Sequence, residues 1–316
     1  MRRTYAILCL LASSVGSLAQ DSLRPLPTPT PSVDERISVQ TDLVVLTITV
    51  QDEVGRYVAG KKKSDFLIFD NNRPVEIEFF SDTDEPASVL FLFDVSGSMS
   101  VEKLRKSRTA LDRFLMTSHP SDEYFSIAFN DRVEVLDKGL RDGQAVVDKL
   151  VMLKPSGNTA LYDALSLGIQ TLARTAYRKK AVIIISDGQD NRSRDSFRDV
   201  KSLLKETDIL IYAVGIETIP TGKLGYLGQA NLESLASLTG GRAFFPKNEI
   251  EMDEAFEKLA LELRHQYSIG FTPPDIADNK WHKMEVKLPK GPGGGRVVIR
   301  TRKGYMAVRE TKQPSR

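Results

Sequence analysis

Cysteine, histidine and long apolar runs are scarce in this 316-residue chain, and each scarcity excludes a class of structure. The only cysteine is Cys9, so the chain that follows the first 19 residues is expected to form no disulfide bonds. The three histidines, His119, His265 and His282, are scattered, and we expect them at the surface or at interfaces rather than in a catalytic site. No apolar run reaches the roughly 20 residues that a membrane-spanning helix needs.

The N-terminal sequence "MRRTYAILCLLASSVGSLAQ" is typical of a secretory signal peptide. A basic start at Arg2 and Arg3 precedes an apolar stretch from Ala6 to Val15, and small residues precede a cleavage site after Ala19. A membrane anchor is the alternative, but the apolar run is too short for one and is interrupted by serine and glycine. We therefore expect export to the periplasm or the extracellular space, with no membrane span after cleavage.

The chain that remains after this cleavage carries no net charge. Cleavage removes two arginines from the 44 basic residues and leaves 42, which equals the 42 acidic residues. A neutral protein lacks the basic surface that binds phosphate backbones, and no basic stripe with interleaved aromatic residues occurs in this sequence. We therefore expect no nucleic-acid partner.

Changes in composition and in the pattern of apolar residues divide the chain into six parts. A Pro-rich stretch predicts an extended spacer, and alternating apolar and polar residues on either side of the centre predict antiparallel strands. The last two of these strands are joined by "KGPGGG", which predicts a hairpin. We predict that the two flanking β parts pair into one sandwich-like domain. The parts are a signal peptide (1–19), a linker (20–34), the first β part (35–84), a central domain (86–264), the second β part (265–309) and a short tail (310–316).

The central part alternates short apolar strands with amphipathic helices. Continuous apolar runs such as "VLFLF" and "AVIII" are typical of strands that are buried on both faces of a parallel sheet. Helical spacing is clear in "VEKLRKSRTALDRFLM", where Leu104, Leu111 and Phe114 fall on one face. This pattern predicts the α/β fold class, with a doubly wound, mostly parallel sheet of six strands inserted in the small all-β domain.

Short oxygen-bearing side chains follow two of the buried strands. Asp94, Ser96 and Ser98 follow one strand in "FLFDVSGSMS", and Asp187 follows another in "AVIIISDGQDN". Ligands of open α/β sheets bind beyond the carboxyl ends of the strands, at the point where the strand order reverses. If these two strands are neighbours, the four side chains face one crevice. Hydroxyl and carboxylate oxygens without histidine or thiol favour a hard cation such as Mg²⁺.

These motifs resemble the metal-ion-dependent adhesion site of von Willebrand factor type A domains. "DVSGSMS" is similar to the Asp-x-Ser-x-Ser motif of that family, and "SGNTALYDAL" resembles its threonine loop with Thr159 in position. "ISDGQDN" resembles its final aspartate loop, and the whole resemblance extends over residues 86–264. The flanking β segments resemble those of a bacterial family of exported, VWFA-related proteins.

The resemblance implies a role for each residue of the motif. Ser96, Ser98 and Thr159 are expected to ligate Mg²⁺ through their hydroxyls, with Mn²⁺ or Ca²⁺ as alternatives. Asp94 and Asp187 are expected to act mainly through bound waters and hydrogen bonds. An ion held by neutral oxygens keeps most of its charge, so an Asp or Glu of another protein can be its last ligand. We therefore expect a non-enzymatic, metal-dependent adhesion module.

Two neighbouring segments have other predicted roles. The stretch 216–229, "IETIPTGKLGYLGQ", predicts a long loop that contributes to partner specificity. Ser100 is expected to cap the following helix rather than to bind the ion.

Two other functions are alternatives to metal-dependent adhesion. A metal-assisted hydrolase would use the ion to activate water, but it needs a general base near the metal, and the sequence offers no histidine there. A structural component of the cell envelope would assemble without any dependence on metal. Replacement of Asp94 by alanine separates the structural hypothesis from the adhesion hypothesis, because structural assembly would survive that change.

Overall fold

The computed structural model describes residues 43–216, 222–274, 279–289 and 295–307. The predicted signal peptide, the Pro-rich linker and the C-terminal tail lie outside these residues. So do positions 217–221 of the predicted recognition loop and 290–294 of the "KGPGGG" stretch.

The described residues form strands and helices in the following order. The strands are β1 (Val44–Asp52), β2 (Leu67–Asp70), β3 (Arg73–Val75), β4 (Phe79–Ser81), β5 (Ala87–Asp94), β6 (Glu123–Phe129), β7 (Val133–Leu140), β8 (Lys179–Ser186), β9 (Leu210–Gly215), β10 (Ala243–Phe244), β11 (Gln266–Phe271), β12 (Trp281–Lys287), β13 (Val297–Arg300) and β14 (Gly304–Met306). The helices are α1 (Val101–Thr117), α2 (Gly143–Met152), α3 (Leu161–Ala173), α4 (Phe197–Lys205), α5 (Gly222–Thr239) and α6 (Glu249–Arg264). None of the helices in the described part of the chain combines the length and the apolar composition that a membrane span requires.

The central domain is built on a six-stranded sheet with the order β10-β9-β8-β5-β6-β7. Neighbouring strands are parallel except β7, which runs antiparallel to β6. Every residue of β5 is buried, as is nearly all of β8, because helices cover both faces of the sheet. The predicted α/β class and the mostly parallel six-stranded sheet are therefore confirmed.

Alternate residues of β5 enter two separate apolar cores. Phe91 and Phe93 pack in the core that contains buried residues of α1, α2 and α6. Leu90 and Leu92 pack in the core that contains buried residues of α3, α4 and α5. The helices thus form one layer on each face of the sheet, and α1 and α5 lie on opposite faces.

The segments before and after the central domain pair with each other in two additional four-stranded sheets. One has the order β13-β1-β11-β4, and the other has the order β14-β12-β2-β3. Apolar side chains of both sheets meet in one core, which includes Leu46, Ile269, Met284 and Tyr305. Each sheet therefore covers the apolar face of the other.

The predicted hairpin between the last two strand segments is wrong. β12 pairs with β2 and β14, whereas β13 pairs with β1 in the other sheet. The segment that was predicted as one strand is divided at Thr301–Lys303, where the chain crosses from one sheet to the other. The crossing lets Ile299 and Tyr305 contribute to the same core from opposite sheets.

A buried carboxylate connects the central domain to the first of these sheets. Glu262 of α6 is 0% exposed. It accepts hydrogen bonds from the Tyr212 hydroxyl at 2.8 Å and from the Thr49 hydroxyl at 3.5 Å, and it forms an ion pair with Arg300. The Tyr212 hydroxyl in turn accepts a hydrogen bond from Gln266 at 2.9 Å. One carboxylate therefore joins α6 and β9 to β1, β11 and β13.

The prediction that all three histidines lie at the surface or at interfaces is wrong for His282. This residue is 2% exposed, and its Nδ1 atom lies 2.8 Å from Asp70 Oδ1. The Tyr305 hydroxyl donates to the same carboxylate at 2.8 Å. The strand alternation of β12 places His282 and Met284 on the inner face, and a charged partner on β2 makes burial of the imidazole favourable.

Candidate metal centre

β5 and β8 are neighbouring parallel strands that end at the same edge of the central sheet, with Phe93 opposite Ile185. The chain passes from β5 to β6 on one side and later returns to β8 on the other side, so the strand order reverses between them. Asp94 is the last residue of β5, and Asp187 directly follows β8. The condition for one shared crevice is therefore met, because both aspartates lie at the switch point of the sheet.

Asp94 is fully buried, and both of its carboxylate oxygens accept hydrogen bonds from the protein. Oδ1 accepts from the Ser96 backbone N–H at 2.9 Å, and Oδ2 accepts from the Ser186 hydroxyl at 2.6 Å. Burial raises the pKa of Asp94 to about 6, and the nearby charge of Asp187 adds to the rise, while the hydrogen bonds from Ser186 and Ser96 oppose it. The carboxylate is thus placed to hold the surrounding loops rather than to face solvent.

Ser96 and Ser98 present a pair of hydroxyls in front of Asp94. Their Oγ atoms lie 3.1 Å apart. Ser96 is 1% exposed, whereas Ser98 is exposed, so the pair extends from the interior to the solvent. Ser100, two residues further on, accepts a hydrogen bond from the Lys103 backbone N–H at 3.1 Å and caps α1, as predicted.

The threonine loop lies directly against this serine loop. The Gly97 N–H donates to the Gly157 carbonyl at 2.9 Å, and the Ser156 N–H donates to the Val95 carbonyl at 2.8 Å. Gly157 has a φ of +80°, and a Cβ atom there would lie 1.9 Å from Asp131 Oδ2. The positive φ favours glycine at this turn, which precedes Thr159 by two residues.

Thr159 also connects to the loop that follows β8. It is 4% exposed, and its backbone N–H donates to Asn191 Oδ1 at 2.8 Å. Its carbonyl accepts from the backbone N–H groups of Asn191 and Arg192, both at 3.1 Å. Hydrogen bonds therefore link the serine, threonine and aspartate loops into one unit, although these three segments are far apart in the sequence.

Asp187 is held in this unit by its own loop. It is 4% exposed, and its Oδ1 atom accepts from the Gln189 backbone N–H at 3.0 Å. Gly188 has a φ of +81°, and a Cβ atom there would lie 2.4 Å from the Gly228 carbonyl oxygen. Glycine at both positions lets the backbone of α5 pass directly beside Asp187.

The predicted recognition loop is largely helical. Residues 222–229 form the first turns of α5, which is a correction to the loop prediction, while 217–221 lie outside the described residues. Within this helix, Gly225 and Gly228 are buried. Close packing of α5 on the Asp187 loop outweighs the low helix propensity of glycine.

Sequence analysis gave no role to Ser186, which the structure places in the site. Its hydroxyl donates to Asp94 and accepts from the Gly188 backbone N–H at 3.0 Å. It therefore connects the two aspartate-bearing strands. The sequence feature that could have identified Ser186 is its position at the end of an apolar strand, immediately before Asp187.

The donor chemistry of these loops fits a hard divalent cation. No group of three or more His, Cys, Asp and Glu side chains suited to a metal occurs in the described ranges, so an ion at this edge depends on hydroxyl oxygens. The five predicted residues supply three hydroxyls and two carboxylates, which suits Mg²⁺, an ion that prefers oxygen ligands and retains several waters. The oxygen-bearing residues are Asp94, Ser96, Ser98, Thr159 and Asp187.

Comparison with known proteins places the central domain in a family. Residues 88–258 match the family model of the von Willebrand factor type A domain. The uncharacterized protein sll0103 of Synechocystis sp. is 27% identical over 190 residues, which cover 59% of this chain and 43% of that protein. The chain spans less than half of the length of the curated relatives it matches.

Comparison with solved structures also finds partial similarities. A von Willebrand factor type A protein from Catenulispora acidiphila has a TM-score of 0.47 and 11% identity, over 85% of this chain and 74% of that chain. The vWF domain of the type V pilus tip protein Mfa5 from Porphyromonas gingivalis has a TM-score of 0.46 and 12% identity, over 56% of this chain and 94% of that chain. Because the family match covers more than half of its 316 residues, the chain belongs to the von Willebrand factor type A domain family.

Proposed function

We propose that this protein is a divalent-metal-dependent protein-binding module. The metal, Mg²⁺ with Mn²⁺ or Ca²⁺ as alternatives, would be held by the hydroxyls of Ser96, Ser98 and Thr159. A partner protein would supply an Asp or Glu as the last ligand. One observation supports this proposal most directly. Hydrogen bonds join the serine, threonine and aspartate loops to one another beside the buried Asp94, at the switch point of the sheet.

The residues at this site have different proposed roles. Asp94 fixes the serine loop through Ser96 and fixes β8 through Ser186, so the hydroxyls are positioned before any partner arrives. The exposed Ser98 leaves the site open to a partner. When bound, the ion supplies a positive charge that attracts a carboxylate, because its protein ligands are mostly neutral.

The proposal also includes export of the protein from the cytoplasm. The first 19 residues have the basic start, apolar stretch and small-residue end of a signal peptide. We therefore place the binding function in the periplasm or outside the cell. A partner there would be another protein, and neither nucleic acid nor a membrane span is part of the proposal.

A metal-assisted hydrolase is the less favoured alternative, since the described residues offer no imidazole base at the crevice. His119 follows the C-terminal end of α1, which begins at the site and runs away from it for 17 residues. His265 caps the C-terminal end of α6, and His282 lies in the β12 strand of another sheet. The oxygens of Asp94 accept hydrogen bonds from Ser96 and Ser186, so this carboxylate is not free to act as a base.

A pull-down experiment tests the proposal against the structural-component alternative. Envelope and secreted fractions of the source organism are passed over the wild type in Mg²⁺, the wild type in EDTA, and Asp187→Ala in Mg²⁺. We expect a specific protein that is retained only in the first condition, because both changes remove the ion from the crevice. Retention of the same proteins in all three conditions would favour metal-independent assembly and contradict the proposal.

A further inference from the structure

The first turns of α5 expose an unusual concentration of large apolar side chains. Leu224, Tyr226 and Leu227 are 65%, 64% and 52% exposed. Other large exposed apolar residues of the described ranges occur singly along the chain, whereas these three fall within four consecutive positions. We call Leu224, Tyr226 and Leu227 the α5 ledge. Three large apolar side chains exposed within about one helical turn favour an interaction site, while single exposed residues need no explanation.

The ledge lies beside the candidate metal centre. Leu227 directly precedes Gly228, where a Cβ atom would lie 2.6 Å from the Asp187 carbonyl oxygen. One turn further along α5, the Asn231 side-chain amide donates to the Tyr162 hydroxyl at 3.0 Å, and Tyr162 begins the helix that follows Thr159. The ledge therefore adjoins the aspartate loop.

Packing of the domain does not explain this apolar character. The inner side of α5 already contributes Leu232 and Leu235 to the core that also contains residues of α3 and α4. The ledge residues are exposed around the buried Gly225 and Gly228, so they add nothing to that core. Exposure of three large apolar side chains to water is unfavourable, and binding of a partner would remove this apolar surface from water.

The charges near this edge complement an acidic partner. Lys223 is exposed next to the ledge, and Arg192 is exposed beside Thr159. On the opposite side, the Lys103 ammonium donates to the Ser98 carbonyl at 3.0 Å. Basic side chains thus lie on both sides of the hydroxyls and, together with a bound cation, would offset the charge of the aspartates at this edge when a carboxylate approaches.

We propose that the α5 ledge binds large apolar side chains that flank the carboxylate of the partner. This inference depends on the proposed function, because the carboxylate is the group that completes the metal site. The occupant is a polypeptide segment in which an Asp or Glu is followed or preceded by Leu, Ile, Phe or Trp. The metal site would select the acid, and the ledge would select its neighbours.

Peptide display tests this specificity without knowledge of the natural partner. Two phage libraries display seven-residue peptides, one with a fixed central Asp and the other with a fixed central Asn, and six random positions reach about 10 Å to each side. Both are selected on the wild type in Mg²⁺ and in EDTA. We expect Mg²⁺-dependent enrichment of the Asp library alone, with Leu, Ile, Phe or Trp beside the Asp.

Two variants assign the apolar preference to the ledge. Leu224→Ser/Tyr226→Ser/Leu227→Ser removes the ledge, and Met116→Ser removes a side chain that is 81% exposed at the C-terminal end of α1, away from the site. For one enriched peptide, we expect the ledge variant to bind about tenfold more weakly or worse and the methionine variant to bind like the wild type. If the triple variant is unfolded by circular dichroism, Tyr226→Ser alone is compared in its place.

The outcomes separate this inference from the proposed function. Mg²⁺-dependent selection of Asp peptides without apolar neighbours, or equal weakening by the methionine variant, would overturn the ledge assignment and leave the metal-dependent function intact. Absence of any Mg²⁺-dependent selection would overturn both. Sedimentation velocity completes the test, since a wild-type dimer that the ledge variant converts to monomer would mean that a second copy of the chain covers the ledge.

Discussion

Glu262→Ala is expected to lower the free energy of unfolding by about 3–5 kcal/mol, a large effect for a residue outside the metal site. Glu262 is 0% exposed, and the substitution leaves the charge of Arg300 in a mostly buried position without a counter-ion. It also removes the acceptor of the Tyr212 hydroxyl. Denaturation by urea, followed by circular dichroism, measures the change.

Two further variants show whether the loss arises from the buried charge. Glu262→Met/Arg300→Met removes both charges and is expected to recover most of the stability. Glu254→Ala breaks the ion pair between Glu254 and Lys258 on the same helix, where both side chains are 54% exposed. This control is expected to change stability by less than about 1 kcal/mol. A Glu262→Ala variant that matches the Glu254→Ala control would contradict the role given to the network.

Ser98→Ala is expected to weaken Mg²⁺ binding at least tenfold and to cost the metal-free protein no more than about 1 kcal/mol. The hydroxyl of Ser98 is a predicted metal ligand, and its side chain is exposed, so the metal-free protein loses only the 3.1 Å contact with the Ser96 hydroxyl. We expect Mg²⁺ to raise the melting temperature of the wild type, and in Ser98→Ala this increase should be lost or moved to much higher Mg²⁺ concentration. Thermal unfolding over a series of Mg²⁺ concentrations measures both quantities.

Ser100→Ala provides the matched control for Ser98→Ala. Ser100 is also exposed, but its hydroxyl accepts from the Lys103 N–H at the start of α1. Loss of this cap is expected to cost about 1 kcal/mol of stability and to leave the Mg²⁺ dependence unchanged. If Ser98→Ala and Ser100→Ala shift the Mg²⁺ dependence equally, Ser98 is not a ligand and the serine loop has been misassigned.

The sequence was most informative where local pattern and burial agree. The apolar runs of β5 and β8 predict strands that are buried on both faces, and Asp94 and Asp187 at their ends predict the location of the site. Ser100 was identified as a helix cap because it directly precedes an amphipathic helical pattern, and serine is a preferred residue at that position. These features depend on neighbours within a few residues, which a single sequence contains.

The missed features depend on contacts between distant segments. The first turns of α5 were predicted as part of a loop, whereas the structure has a helix there that packs closely on Gly188 through Gly228. His282 was expected to be accessible because its partner, Asp70, is 212 residues away. In both cases, tertiary contacts outweigh local propensity, and those contacts cannot be inferred from one sequence.

The sequence also does not indicate that β13 and β14 belong to different sheets. β13 and β14 were predicted as one strand in a hairpin with β12, since both carry alternating apolar residues. Alternation determines which residues face a core but not which strand is the neighbour. The single core shared by both sheets allows β13 to pair with β1 while β14 pairs with β12.

Direct titration with Mn²⁺ is the measurement that tests the account most directly. Mn²⁺ has similar ligand preferences to Mg²⁺ and enhances the relaxation of water protons when it binds a protein and retains exchangeable waters. The account predicts one saturable site in the wild type, competition by Mg²⁺, and loss of the site in Asp187→Ala. Absence of a saturable site in the wild type, or an unchanged site in Asp187→Ala, would contradict metal binding by the loops that follow β5 and β8.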